Sequence, residues 1–322
     1  MKLILFSLFA LFILACETVV DVDVPEEPTR LVVNALISPD QDVGARVSLN
    51  KSVLDQDPRF STVGDAQVIL YEDGREVAQL AHQATGWYSA SFRPRAGQSY
   101  TMQVSAEGLP SVEASTQISS PVTIDQLTVD TVREESGIEC FNGDCQPLYR
   151  QEFRLQLQLS DPGEVINFYE IRGYAVMLDS ISEYDSTGSF VEYDTLTRRQ
   201  LVSFQTDDAV VNNSFSSVID EEFYGNSLLF TDDIFSGEGY TVDFTTDGVN
   251  GYGSSSVLKK LTLVLRTLSE DQYQYLRTLD LQEFNNGDPF SEAVPVYNNI
   301  EDGFGIFAGS SADSVVMVID EE

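Results

Sequence analysis

The chain is short of the residues that most enzymes and nucleic-acid binders rely on. It has one histidine, His82, three cysteines, one tryptophan, and 18 basic side chains against 52 acidic ones in 322 residues. A single imidazole rules out a poly-histidine metal centre, and any Ser-His-Asp or Cys-His set must use His82 itself. His82 lies in "QLAHQATGW" beside a hairpin turn, where a structural role is expected. The net charge of -34 repels nucleic acid and anionic lipid headgroups, and favours cationic partners, divalent ions or simple solubility. No glycine-rich phosphate loop leads from a strand into a helix, and no helix start follows "DGVNGYGSSS", so nucleotide chemistry is not expected and no cofactor is assigned.

Carboxylates are so abundant that they carry little information. Some Asp or Glu pair falls at almost any spacing, so a glycosidase-like arrangement is neither found nor excluded. The acidic segments "TDDAVVNN" and "TDDIFSGEG" lack the oxygen-ligand spacing with a central glycine that a calcium loop needs. They read as solvated charge, and no metal site and no catalytic residue are assigned.

Long apolar runs are missing except at the start. Lys2 followed by Leu3 to Leu14 and the small Ala15 has the three parts of a secretory signal, and its apolar core is too short to span a bilayer. Ile13-Leu14-Ala15-Cys16 resembles a bacterial lipobox, in which the cysteine is lipidated and becomes the first mature residue. The alternative is an ordinary signal peptide with a chance cysteine. The lipid reading makes residues 1–15 the signal, removes Lys2 and leaves 307 residues with a charge of -35. Residues 16–28 are acidic, carry Pro25 and Pro28, and form a solvated tether.

Cys140 and Cys145 in "CFNGDC" remain as a close pair around Asn142-Gly143, a hairpin turn signal. In an exported protein such a pair is expected to form a disulfide, a local staple worth about 2 kcal/mol. The spacing does not suit a Cys-x-x-Cys redox site, and a zinc site needs two further ligands that the chain hardly has.

Strand signals dominate the rest. Between 29 and 120, "RLVVNALI", "ARVSLNKS", "AQVILYED", "REVAQLAH", "GWYSASFRP", "QSYTMQVSA" and "SVEASTQI" are short segments separated by turn residues, and Asp73-Gly74 marks a tight hairpin. Seven such strands predict an immunoglobulin-like β-sandwich. A second β-rich domain, 121–322, opens with "SSPVTIDQLTVDTV" as a crossing segment. It continues through "FRLQLQLSDPG", whose Phe153, Leu155, Leu157 and Leu159 alternate on one face. One helix is predicted at 270–284. Ser269 and Gln272 make its capping box, Leu268 and Tyr273 its hydrophobic staple, and Tyr273, Leu276 and Leu279 its apolar stripe. The fold class is mainly β.

Aromatic residues cluster beside carboxylates. Tyr184, Asp185, Phe190, Glu192, Tyr193 and Asp194 fall in "SEYDSTGSFVEYDTLT", and Phe223, Tyr224, Phe230 and Phe235 in "DEEFYGNSLLFTDDIF". In a β protein such rings are core or strand-pairing positions, or else a partner-binding rim with large contact area at low entropy cost.

"VVDVDVPEEPTRLVVNALI", "LSDPGEVINFYEIRGY", "IDEEFYGNSLLF" and the ending "FNNGDPFSEAVPVYNNIEDGFGIFAGSS" resemble the Bacteroidota lipoproteins of the domain-of-unknown-function family DUF4249, over nearly the whole mature chain. Asn299, Ile300 and Gly303 to Phe307 carry the most specific part of the likeness. The resemblance implies an outer-membrane lipoprotein associated with a TonB-dependent transporter, and it brings no catalytic residues. Glu17, Asp21, Asp23, Glu26 and Glu27 are similar to the acidic export signals that send such lipoproteins to the cell exterior, although a solvated linker has the same composition. The expected role is a non-catalytic binding accessory to a transporter, with residues 183–195 as candidate partner contact. The alternatives are a structural or adhesive surface module and, third, a carboxylate-dependent hydrolase.

Overall fold

A computed structural model describes residues 28–52, 55, 57, 59–141, 144–163, 165–184, 190–211, 223–247, 256–285, 292 and 294–318. The protein is mainly β, as its period-two patterning dictates. The first seven strands are β1 (Leu31–Ile37), β2 (Gly44–Leu49), β3 (Gln67–Glu72), β4 (Arg75–Ala84), β5 (Trp87–Ser89), β6 (Ser99–Ser105) and β7 (Val112–Gln117). In β1 the alternate residues Leu31, Val33, Ala35 and Ile37 are buried, and in β6 Tyr100, Met102 and Val104 are. Between β3 and β4 the chain turns at Asp73 and Gly74, both at positive φ (48° and 76°), as the sequence predicts for a two-residue hairpin. Tyr88 ties this half together: its buried hydroxyl donates to Val63 O (3.0 Å) and accepts from Ala66 N (2.9 Å).

The later strands are longer. They comprise β8 (Ile124–Phe141), β9 (Asp144–Ser160), β10 (Phe168–Tyr184), β11 (Phe190–Leu201), β12 (Phe204–Thr206), β13 (Phe223–Gly225), β14 (Ser227–Thr231), β15 (Gly239–Asp247), β16 (Ser256–Leu268) and β17 (Phe304–Val318). The segment expected to be a crossing is strand β8, paired antiparallel with β9 through Leu127↔Leu157 and Val129↔Leu155. Its own alternation packs Ile124, Leu127 and Val129 against the core, which is why it folds as a strand rather than a connection.

The strands form two sheets. One has the order β11-β10-β16-β17-β1-β2-β5-β4-β3-β6-β7, with β14 also on β10, and the other β13-β12-β15-β9-β8. Phe153, Leu155, Leu157 and Leu159 of β9, all buried as the alternation predicts, share a core with Tyr169 and Ile171 of β10 and with Leu263 and Leu265 of β16. The small sheet therefore packs on the larger one.

A second core holds the residues of β1 to β7, and the chain's end enters it through Ile300 and Phe307. Strand β17 lies between β16, antiparallel, and β1, parallel, with Val32↔Phe304 to Ile37↔Gly309 in register. Gly305 (φ 115°) makes this possible, because a Cβ there would lie 2.0 Å from Val33 O. On the other side of β17, Asn299 replaces a strand: its Nδ2 donates to Phe307 O (2.8 Å) and its Oδ1 accepts from Phe307 N (2.9 Å). The terminal motif that carries the family resemblance is thus a structural joint.

Helix α1 (Glu270–Asn285) falls where the sequence predicts it. Ser269 Oγ accepts from Gln272 N (3.2 Å), and Leu268 and Tyr273 pack together in a small cluster with Leu229. The reciprocal half of the capping box is absent. Ser269 N donates instead to Gly309 O (2.8 Å), while Ser269 Oγ also accepts from Gly309 N (3.2 Å), because β17 runs alongside. The expectation of a single helix misses a helical turn at 209–211, started by Asp208 Oδ1 accepting from Val210 N (3.0 Å).

Two expectations follow. Asn299→Ala leaves a buried N–H and a buried carbonyl of Phe307 unpaired, so urea titration should show a loss of about 2 kcal/mol or more. The β8–β9 register sets Cys140 opposite Cys145, with Asn142 and Gly143 outside the described residues. Peptide mass mapping without reductant should therefore find the two joined, and two free thiols would remove the staple.

Candidate functional site

Helix α1 rests on β10, β16 and β17, and a groove of about 580 Å³ opens beside it. One wall is a stripe of the helix: Glu270, Tyr273, Gln274 and Arg277 recur at the three- and four-residue spacing that puts them on one face. The other wall comes from Ile166 and Phe168 at the start of β10, from Thr231, Asp233 and Ile234 at the end of β14, and from Val210. Tyr273 is buried, its ring 4.9 Å from that of Phe168. Ile166 and Ile234 are apolar lips, 61% and 54% exposed. Arg277 is half-buried, its Nε is out of contact with solvent, and among the described residues it makes neither a hydrogen bond nor an ion pair.

The non-helical wall is held by a buried polar cluster. Asp161 Oδ2 accepts from the N–H groups of Gly163 (2.8 Å) and Gly237 (2.9 Å), and its Oδ1 accepts from Tyr169 Oη (2.5 Å) and Asn167 Nδ2 (3.1 Å). Asn167 Nδ2 also reaches Asp232 Oδ2 (3.1 Å). Asp232 is fully buried and its Oδ1 has no hydrogen-bond partner among the described residues. Burial, with the neighbouring Asp161 charge, holds the Asp232 carboxyl above the usual carboxylate range, opposed by its bonds with Asn167. The segment "TDDIFSGEG" is therefore not simply solvated charge. Asp233 is at the surface, bonded to Thr231 Oγ1 (2.7 Å), while Asp232 is a core residue. Likewise Asp208 of "TDDAVVNN" accepts from Tyr240 Oη (2.7 Å) and Asp243 N (3.0 Å), tying the helical turn to β15.

Beneath the helix lies an ion network. Fully buried Glu170 accepts from Arg172 Nε and from Arg266 Nη1, both at 2.6 Å, and Arg266 Nη2 donates to Ser310 Oγ (2.8 Å). Glu170 stands opposite Arg266 in the β10–β16 register, so strand pairing itself makes the contact. Asp280 of α1 lies above it. Burial first, then the charges of Glu283 and Glu170, push its carboxyl up to about 6 against the pull of Arg172.

The residues singled out from sequence lie elsewhere. Cys16 and Asp185 fall outside the described residues. Backbone pairing brings the others together at the tip of the β10–β11 hairpin: Tyr184↔Phe190, Glu183↔Glu192, Ser182↔Tyr193 and Ile181↔Asp194. The groove is at the opposite end of β10, at Phe168, about 50 Å of strand away. Phe230 and Phe235 are buried, so those two rings belong to the core. His82, on β4, has its ring 5.1 Å from Tyr88. The sequence predicts the helix 270–284 with Tyr273, Leu276 and Leu279 as its stripe, whereas the groove-lining set of Glu270, Gln274 and Arg277 with Tyr273, and its partners at 166–168, 210 and 231–234, carried no sequence signal linking them.

A family model described as "Domain of unknown function (DUF4249)" matches residues 17–315, and the chain belongs to that family. No curated protein matches it. Among solved structures, the chain is similar to a Corynebacterium diphtheriae protein named for a presumed membrane anchor. The identity is 11% over 76% of this chain and 55% of that one, with a TM-score of 0.21. The chain spans about half the length of that protein, and a likeness this slight carries no argument.

The ion network makes stability pH-dependent. Asp280 has a folded value of about 6 against an ordinary 3.8, so its contribution is complete below the ordinary value and is lost as pH rises through about 6. Melting temperature should therefore fall across that window in the native protein, and Asp280→Asn should flatten this step. A profile unchanged by the substitution would show that Asp280 does not titrate there.

Proposed function

We propose that this member of the DUF4249 family is a lipid-anchored outer-membrane protein of a Bacteroidota cell, exposed to the exterior, that serves as a non-catalytic binding accessory to a TonB-dependent uptake system. The groove beside α1 is the observation that carries the reading. Its rings, isoleucine lips and guanidinium are groups that recognise a ligand rather than transform one. The lipobox-like sequence ending at Cys16 supports attachment by lipid, and no helix among the described residues is long and apolar enough to cross a membrane. We read β1 to β7 as an immunoglobulin-like module that carries the groove-bearing part above the bilayer, and the tip of the β10–β11 hairpin as the surface that meets the transporter.

An adhesive or structural module is the second reading. It is favoured by β11, which ends the large sheet among the described residues, with Leu196 and Leu201 about half exposed.

Gentle extraction of the native protein tests the proposal: an outer-membrane transporter should copurify. Cys16→Ala should release folded protein from the membrane and abolish the association. Tyr184→Ala with Tyr193→Ala should weaken it at unchanged melting temperature. If no transporter travels with the native lipoprotein, the accessory role gives way to the adhesive one.

A further inference from the structure

The groove carries two charges of one sign and one of the other, and their spacing defines a ligand. Among the described residues Arg277 has no partner, in a chain with 52 acidic and 18 basic side chains. A half-buried guanidinium whose Nε is out of contact with solvent and unpaired is left with an unsatisfied donor. Glu270 and Asp233 line the same groove, are exposed, and make no ion pair with Arg277. Glu270 and Arg277 are seven residues apart on one helical face, about 10 Å along the axis. That is the span of about three extended residues. Between the two lie the Phe168 and Tyr273 rings, with Ile166 and Ile234 at the lips.

We propose that the groove binds a short, zwitterionic, apolar peptide of about three residues, its terminal carboxylate on Arg277 and its free amine toward Glu270 and Asp233. This deepens the binding role proposed above and names its ligand class. The net charge of -34 disfavours a simple anion, and an amine at the other end of the ligand offsets that repulsion. The apolar middle of the groove takes the side chains, so selectivity falls on the termini and on hydrophobic character rather than on a particular residue.

Isothermal titration of the mature lipoprotein in detergent tests this, with the tripeptide alanyl-leucyl-alanine in free, N-acetylated and C-amidated forms. The free peptide should bind, and each blocked form should bind about tenfold more weakly or worse. Arg277→Gln should weaken the free peptide while erasing its advantage over the C-amide, and Arg277→Lys should restore part of it. Asp233→Asn with Glu270→Gln should erase the advantage over the N-acetyl form. Should Arg277→Gln fail to fold, the three peptide forms on unaltered protein still decide. Absence of binding by the free tripeptide up to roughly 1 mM, or equal binding of all three forms, overturns the proposal. Peptide binding without transporter copurification leaves the groove's assignment standing and removes the accessory role. Copurification without peptide binding does the reverse.

Discussion

The parallel pairing of β17 with β1 is the contact on which the rest of the molecule depends. It joins the chain's last described strand to its first, and it needs Gly305 so that the Val33 carbonyl can approach. Asn299 then completes the hydrogen bonding of Phe307 on the edge that no described strand covers. The two neighbours of β17 belong to different cores, so this strand carries mechanical continuity from one to the other. The contact also has a kinetic consequence. A pairing this distant in sequence closes only after nearly all the chain is available, and non-local contacts of that kind are slow to form.

The groove is downstream of that joint. Gly309 of β17 supplies both the acceptor for Ser269 N and a donor to Ser269 Oγ, so it shares in starting α1. Ser310, the next residue, helps to hold Arg266 on Glu170 beneath the helix. One groove wall is thus positioned by the terminal strand, and the other by the buried Asp161, Asn167, Tyr169 and Asp232 cluster. The hydrogen bonds that set these walls do not involve Glu270 or Arg277, which leaves those two side chains available to a ligand.

Charge is used unevenly. An acidic excess of this size destabilises a compact chain by self-repulsion. Glu170, with no exposure at all, takes two arginines. Asp232 receives no cation among the described residues and stays above the ordinary carboxylate range. Arg277 is half-buried, with a buried Nε that has no partner among the described residues. The groove and the β10–β11 tip occupy opposite ends of one strand, which separates ligand contact from partner contact in the proposed role.

The sequence by itself determined the β class, the tight turn at Asp73-Gly74, the helix after Ser269 and the alternating core of β9. These depend on local periodicity and capping, which neighbouring residues decide among themselves. It also marked the terminal motif around Asn299 and Gly305, without showing that the motif is a joint. Tertiary structure alone decided that β8 is a strand, that Asp232 is buried beside Asp161, and that Arg277 faces residues from three distant segments. The reason is physical: whether a carboxylate is solvated or a guanidinium is paired depends on which remote segments pack against it. In a chain with 52 acids, the residue type alone says nothing about which few will be buried.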